Sequence, residues 1–129
     1  RFLANPFFVP HMKRRPGTEP DVAAFVLETA EAQTFLAHLD GLLSWSVPLY
    51  AREGKAYLTI AIGCTGGLHR SVAVADAIGR RLLAHGIPNV TVLHRDVARG
   101  AVAGSRGASV APADLAVVAG HSPARRTET

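Results

Sequence analysis

The stretch at residues 59–82, TIAIGCTGGLHRSVAVADAIGRRL, constrains the fold of this chain more than any other. The apolar run KAYLTIAIG is rich in β-branched residues and too short for a free helix, so it predicts a buried parallel strand. Gly63, Gly66 and Gly67 then predict a loop whose backbone turns inward at little steric cost. Beyond it Val74, Ile78 and Leu82 recur at i, i+4, i+8, and Gly86 supplies a C-terminal stop, so a helix follows. IPNVTVLHRD reads as the next strand. A strand, a helix and a strand in succession predict a right-handed βαβ unit. The fold class expected is therefore α/β, a small parallel or mixed sheet with flanking helices.

That placement carries chemistry. A loop leaving the carboxyl end of a strand and entering a helix N-terminus meets unpaired N–H groups and the positive end of the helix dipole, a setting that favours an anion. Arg70 adds a guanidinium fork matched to two phosphate oxygens. Thr65 and Ser71 add hydroxyl donors, and His69 adds another when protonated. Phosphate or sulfate binding by the segment GCTGGLHRS is the first functional expectation. Cys64 and Arg70 also stand in the C-x5-R-S spacing of cysteine-dependent phosphatases. In that alternative Cys64 is a thiolate nucleophile of lowered pKa, Arg70 the phosphate clamp and Asp96 the acid. His94 and Arg95, at the end of the following strand, are plausible second members of an anion site.

Upstream, RFLAN reads as extended, and Pro6 and Pro10 hold the chain out of helix. KRRPGTEP reads as a basic loop with a Pro-Gly turn, either a solvated face or a contact to RNA phosphate. Thr18 and Asp21 resemble a capping box before a short helix. A second helix shows Phe35, Leu36, Leu39, Leu42 and Leu43 on one apolar face, with Pro48 ending or kinking it. Asp76 and Arg80 are spaced for an i, i+4 ion pair. Residues 1–99 form the expected domain. Residues 100–129 read as an Ala/Gly/Ser-rich tail, with a short helix possible at PADLAVVAG and Pro112 near its start.

Composition narrows the class. The 129 residues, 48 % of them hydrophobic, are enough for one core, although only 6 % are aromatic. No apolar run approaches the ~20 residues of a membrane helix. The order of apolar and charged residues at the start is the reverse of a secretory signal. A single cysteine fits a reducing cytoplasm. The six histidines lack paired metal-ligand spacing, so neither a metal nor another cofactor is expected. No G-x4-G-K-[ST] motif occurs in the chain, so no Walker-type nucleotide site is expected in it. The net charge of +4 lies wholly downstream of Cys64, a one-sided field that attracts phosphate, free or on nucleic acid.

RFLANPF, YLTIAIGCTGGLHRSV and LHRD together resemble the C-terminal domain of the RapZ/YvcJ family of bacterial proteins, in order over three quarters of the chain. The resemblance implies a fold related to part of phosphofructokinase. It implies a domain that binds RNA, senses an amino-sugar phosphate and works as an oligomeric cytoplasmic adaptor presenting small regulatory RNAs to a ribonuclease. It further implies an N-terminal P-loop domain, which this chain lacks. Cys64, Thr65, Gly66, Gly67, His69, Arg70 and Ser71 match the family motif and become the expected ligand-binding residues. Two departures stand out. Many relatives read NPH where this chain has Asn5-Pro6-Phe7, which makes His11 a substitute for the missing histidine. Where some relatives carry a dense basic tail shortly after the HR strand, this chain runs on as VARGAVAGSRG with only Arg99 and Arg106 scattered in it, so RNA affinity is expected to be weak or absent.

Overall fold

The computed structural model describes residues 2–54, 57–97 and 115–121. A 3-10 turn at Pro6–Phe8 opens the chain. It is followed by α1 (Pro20–Leu27), α2 (Ala30–Arg52), β1 (Leu58–Cys64), α3 (Arg70–Ala84), β2 (Val90–His94) and β3 (Leu115–His121). The α/β expectation holds at the level of class, with helices and parallel strands combined. β3 lies in the middle of a three-stranded sheet of order β1-β3-β2 and runs parallel to both neighbours. Leu58 pairs with Leu115 on one side, and Leu115 with Val90 on the other. The expected βαβ neighbours β1 and β2 are thus parallel but not adjacent.

The segment expected as a tail with a possible short helix differs at residues 115–121. LAVVAGH is a strand, not a helix, and Val117 within it is fully buried. Its apolar residues sit between two partner strands, where pairing on both edges outweighs local helix propensity.

α3 is the centre of the core. It packs against all three strands and against α1 and α2. Val74, Ile78 and Leu82 are buried as their spacing requires, and so are Val72, Ala73, Ala75 and Ala77 on its other faces. A helix enclosed on several sides needs small residues where backbones approach. A Cβ on Gly79 would lie 2.4 Å from Cγ2 of Val92 in β2. β1 is buried on one face only: Leu58, Ile60 and Ile62 pack on the core, whereas Thr59, Ala61 and Gly63 are exposed. The fully buried strand expected from its continuous apolar run is therefore half-buried.

Further local features bear on the expectations. α2 runs through Pro48 to Arg52. The proline gives up one main-chain hydrogen bond, but Leu36 and Val47 on either side of this region are held in the core. Thr18 does not cap α1, whose N-cap is Glu19 with Pro20 at the first helical position. Asp21 instead takes a two-pronged hydrogen bond from Arg15, at 2.8 and 2.6 Å. Asp76 turns from Arg80 to His94, at 2.8 Å. On the apolar face of α2, Leu36 is buried and Phe35, Leu39 and Leu43 are partly so, but Leu42 is exposed. Gly86, at φ 80°, follows the end of α3 as predicted.

Candidate functional site

β1 delivers Cys64 and α3 begins at Arg70, so the five intervening residues form a tight loop at the strand's carboxyl end. Only Gly67 uses a left-handed backbone, at φ 70°. The loop folds around the sulfur. Cys64 Sγ lies 3.2 Å from the Ser71 hydroxyl, which is itself buried. Burial acts most strongly on the Cys64 thiol and pushes its pKa up. Hydrogen bonds from the Ser71 hydroxyl and from the Ser71 and Gly67 backbone N–H groups, with the nearby Arg70 charge, outweigh it and bring the thiol below the ordinary cysteine range. Two inward-facing amides of the loop thus serve the sulfur.

His69 is buried at the N-cap of α3, and its Nε2 lies 3.2 Å from the Met12 carbonyl. A carbonyl accepts only, so Nε2 carries the proton in this contact. The ring ties the loop to the N-terminal segment. A second tie is made by Gly17, whose N–H donates to the Leu68 carbonyl at 2.9 Å. A Cβ on Gly17 would stand 2.2 Å from the His69 carbonyl oxygen. The Pro-Gly pair is therefore the point at which the basic loop is pressed onto the start of α3, as well as a turn.

This docking creates a cavity of about 1060 Å³ between loop and N-terminal segment. Thr65, Gly66, His69 and Arg70 form one side; Asn5, Phe7, Lys13 and Arg14 contribute to the other. A smaller cavity of about 250 Å³ lies on the far side of Thr65 and Arg70, and Cys64 and Ser71 open onto it. Neither lining includes an aspartate or glutamate. Among the described residues Arg70 has no ion-pair partner, and neither have Lys13 and Arg14. Arg15 differs, since Glu19 and Asp21 neutralise it.

Of the residues singled out in the sequence, Thr65, Gly66, His69 and Arg70 meet in the large cavity with Asn5. Cys64 and Ser71 face each other beside it. Gly67 is buried within the loop. His11 is exposed and lines neither cavity. His94 is turned to Asp76, and Arg95 pairs with Asp96 at 3.7 Å, so none of these side chains lines the cavities. Arg99 lies outside the described residues. The opposing wall of Phe7, Phe8, Lys13 and Arg14 was not assembled from sequence. Its one signal was the basic run beside Pro16-Gly17.

A family model described as the RapZ C-terminal domain matches residues 1–98. The chain belongs to the RapZ C-terminal domain family. Among curated relatives, a "nucleotide-binding protein" of Anaeromyxobacter sp. (strain K) is 60 % identical over 97 residues, covering 75 % of this chain and 33 % of that protein. One from Desulforapulum autotrophicum is 54 % identical over 99 residues, covering 77 % and 33 %. One from Ruminiclostridium cellulolyticum is 45 % identical over 97 residues, covering 75 % and 33 %. The chain spans about a third of the length of these relatives. No solved structure matches it. The matched segment of the RapZ family includes both sides of the cavity and ends before β3. Among the described residues no helix is long and apolar enough to cross a membrane.

Proposed function

We propose that this domain is a non-catalytic anion-binding module that holds the phosphate group of a sugar phosphate or of RNA beside Arg70. One observation carries the reading: Arg70, Lys13 and Arg14 converge on a cavity of about 1060 Å³ whose lining contains no carboxylate. Cations kept free of acidic partners at one cavity are suited to a multiply charged ligand. Thr65 and the loop backbone supply hydrogen-bonding groups on the same side. His69 and Gly17 act as positioning residues by fixing the N-terminal segment against the loop.

Family membership extends the proposal. RapZ-type proteins imply a regulatory adaptor that senses an amino-sugar phosphate, contacts RNA, forms oligomers in the cytoplasm and works with a P-loop domain. The family also implies kinship with part of phosphofructokinase. Calorimetric titration with an amino-sugar phosphate and with inorganic phosphate tests the site. Arg70→Ala abolishes binding; unchanged affinity moves the site elsewhere. RNA binding, where present, weakens steeply with salt, because each neutralised phosphate releases counterions.

A second reading, a cysteine phosphatase, is favoured by one feature, the lowered Cys64 thiol held between Ser71 and Arg70. Against it, no carboxylic acid lines either cavity to protonate a leaving group, and Asp96 is paired with Arg95. Turnover of an aryl phosphate that disappears in Cys64→Ser would establish it. Absence of turnover in the wild-type chain removes it.

A further inference from the structure

The large cavity has a wall that phosphate binding does not use. Phe7 and Phe8 line it and remain 49 % and 79 % exposed. They are displayed by a fastened turn. Pro6 is buried, the Asn5 side chain accepts the Phe7 N–H at 3.2 Å, and the Val9 N–H closes on the Pro6 carbonyl at 3.0 Å. The two rings meet edge to face, 5.4 Å apart at 86°. Lys13 Nζ sits 4.5 Å from the centre of the Phe7 ring. Exposed aromatic rings beside free cations, on a turn with little freedom to bury them, form a stacking surface next to a positive field.

Size and polarity narrow the occupant. A cavity of about 1060 Å³ is mostly unfilled by a phosphate group. Leu3, Phe7, Phe8 and Val97 make part of its lining apolar. On that side the Asn5 side-chain oxygen already accepts the Phe7 N–H. A flat heteroaromatic ring loses little water on stacking against such a wall. The charge complementarity of Arg70, Lys13 and Arg14 fixes the other end of the ligand as an anion.

We infer that the cavity takes a nucleoside 5′-phosphate unit, with its phosphate toward Arg70 and its base against the Phe7–Phe8 wall. The inference rests on the anion site proposed above and adds the base to it. The unit is either a free nucleotide or an unpaired residue of an RNA strand, which share this chemistry.

The test is titration of the chain with uridine 5′-monophosphate, adenosine 5′-monophosphate and ribose 5-phosphate, repeated on a Phe7→Leu/Phe8→Leu variant and on Arg70→Ala. Stacking of one base predicts that the nucleotides bind roughly tenfold more tightly than ribose 5-phosphate. The double-leucine variant, checked by circular dichroism and thermal unfolding to be folded, loses that preference. Equal affinity for nucleotide and ribose 5-phosphate in the wild type overturns the base site while leaving the anion site standing. A preference that survives the leucine substitutions overturns the Phe7–Phe8 assignment. Arg70→Ala without effect on any of the three ligands fails the anion site itself, a separate result. An oligouridine strand bound more tightly than the monophosphate, and not bound as a duplex, identifies RNA as the source. The reverse order identifies a free nucleotide, and either order supports the nucleoside-phosphate assignment.

Discussion

Gly17→Ala probes how the site is built, because its consequence follows from one contact. The added methyl carbon would lie 2.2 Å from the His69 carbonyl oxygen, 3.0 Å from the Ala73 nitrogen and 3.1 Å from the His69 carbonyl carbon. All three are backbone atoms at the start of α3, in the most enclosed helix of the domain, and cannot swing aside as a side-chain tip would. The N-terminal segment must therefore lift. Overpacking of this kind costs about 1–3 kcal/mol. Lifting also stretches the Gly17 N–H to Leu68 carbonyl bond, 2.9 Å in the native fold, a further ~0.5–1.5 kcal/mol. Together these amount to about 1.5–4.5 kcal/mol, or roughly 6–18 °C in thermal midpoint for a domain of this size. Urea unfolding followed by circular dichroism measures the loss. Gly41→Ala is the matched control: no atom lies within 4 Å of its Cβ position in α2, so it stabilises by about 0.5–1 kcal/mol. A Gly17→Ala variant within ~0.5 kcal/mol of wild type, the ordinary scatter of surface changes, would refute the close approach. It would also remove the reason for calling Lys13 and Arg14 part of the site.

Other predictions concern the loop and its surroundings. The Cys64 thiol is lowered in the folded chain, so its alkylation rate rises with pH to a midpoint below that of the same chain in urea; Ser71→Ala shifts the folded midpoint upward, and coincident folded and unfolded midpoints would contradict the hydrogen-bonded sulfur. By linkage the thiolate's contribution to stability is present above the unfolded pKa and is lost as pH falls through the folded one. Bound phosphate places a second negative charge near this sulfur, so saturating phosphate slows alkylation at neutral pH. Asp76→Ala leaves His94 Nε2 without its partner at 2.8 Å and costs about 1–3 kcal/mol in urea unfolding. Gly79→Ala drives a methyl into Val92 and destabilises by about 1–3 kcal/mol; Val92→Ala combined with it recovers part of that loss.

The strand, loop and helix from residue 58 to 84 were legible because period, glycine placement and helix stop agree there. β2 was legible for the same reason. What failed locally was settled at a distance. LAVVAGH has neither strand alternation nor a distinctive helix face, and only its two neighbours make it a strand. Of the two outcomes expected at Pro48, an end or a kink, the end does not occur: Val47 is held in the core and the helix continues to Arg52. Thr18 and Asp21 have the right capping spacing, yet Arg15 captures Asp21. In the site, Arg70 and Ser71 were visible as a motif. The facing wall was not, because Phe7, Lys13 and Arg14 belong to the cavity only through the fold of residues 2–19 against α3. Gly17 signals a turn in the sequence, and a close approach leaves the same letter there.

The sheet order has a consequence in time. The strand hydrogen-bonded to both others is the last of the three to leave the ribosome. Until residues 115–121 emerge, β1 and β2 lack the strand that pairs with both of them among the described residues, and each must wait across a long stretch of chain for the same late arrival. The centre of the sheet is therefore filled last, after both of its edges, and a nascent chain arrested near residue 98 holds the whole β1–α3 loop without the strand that sets its two neighbours side by side.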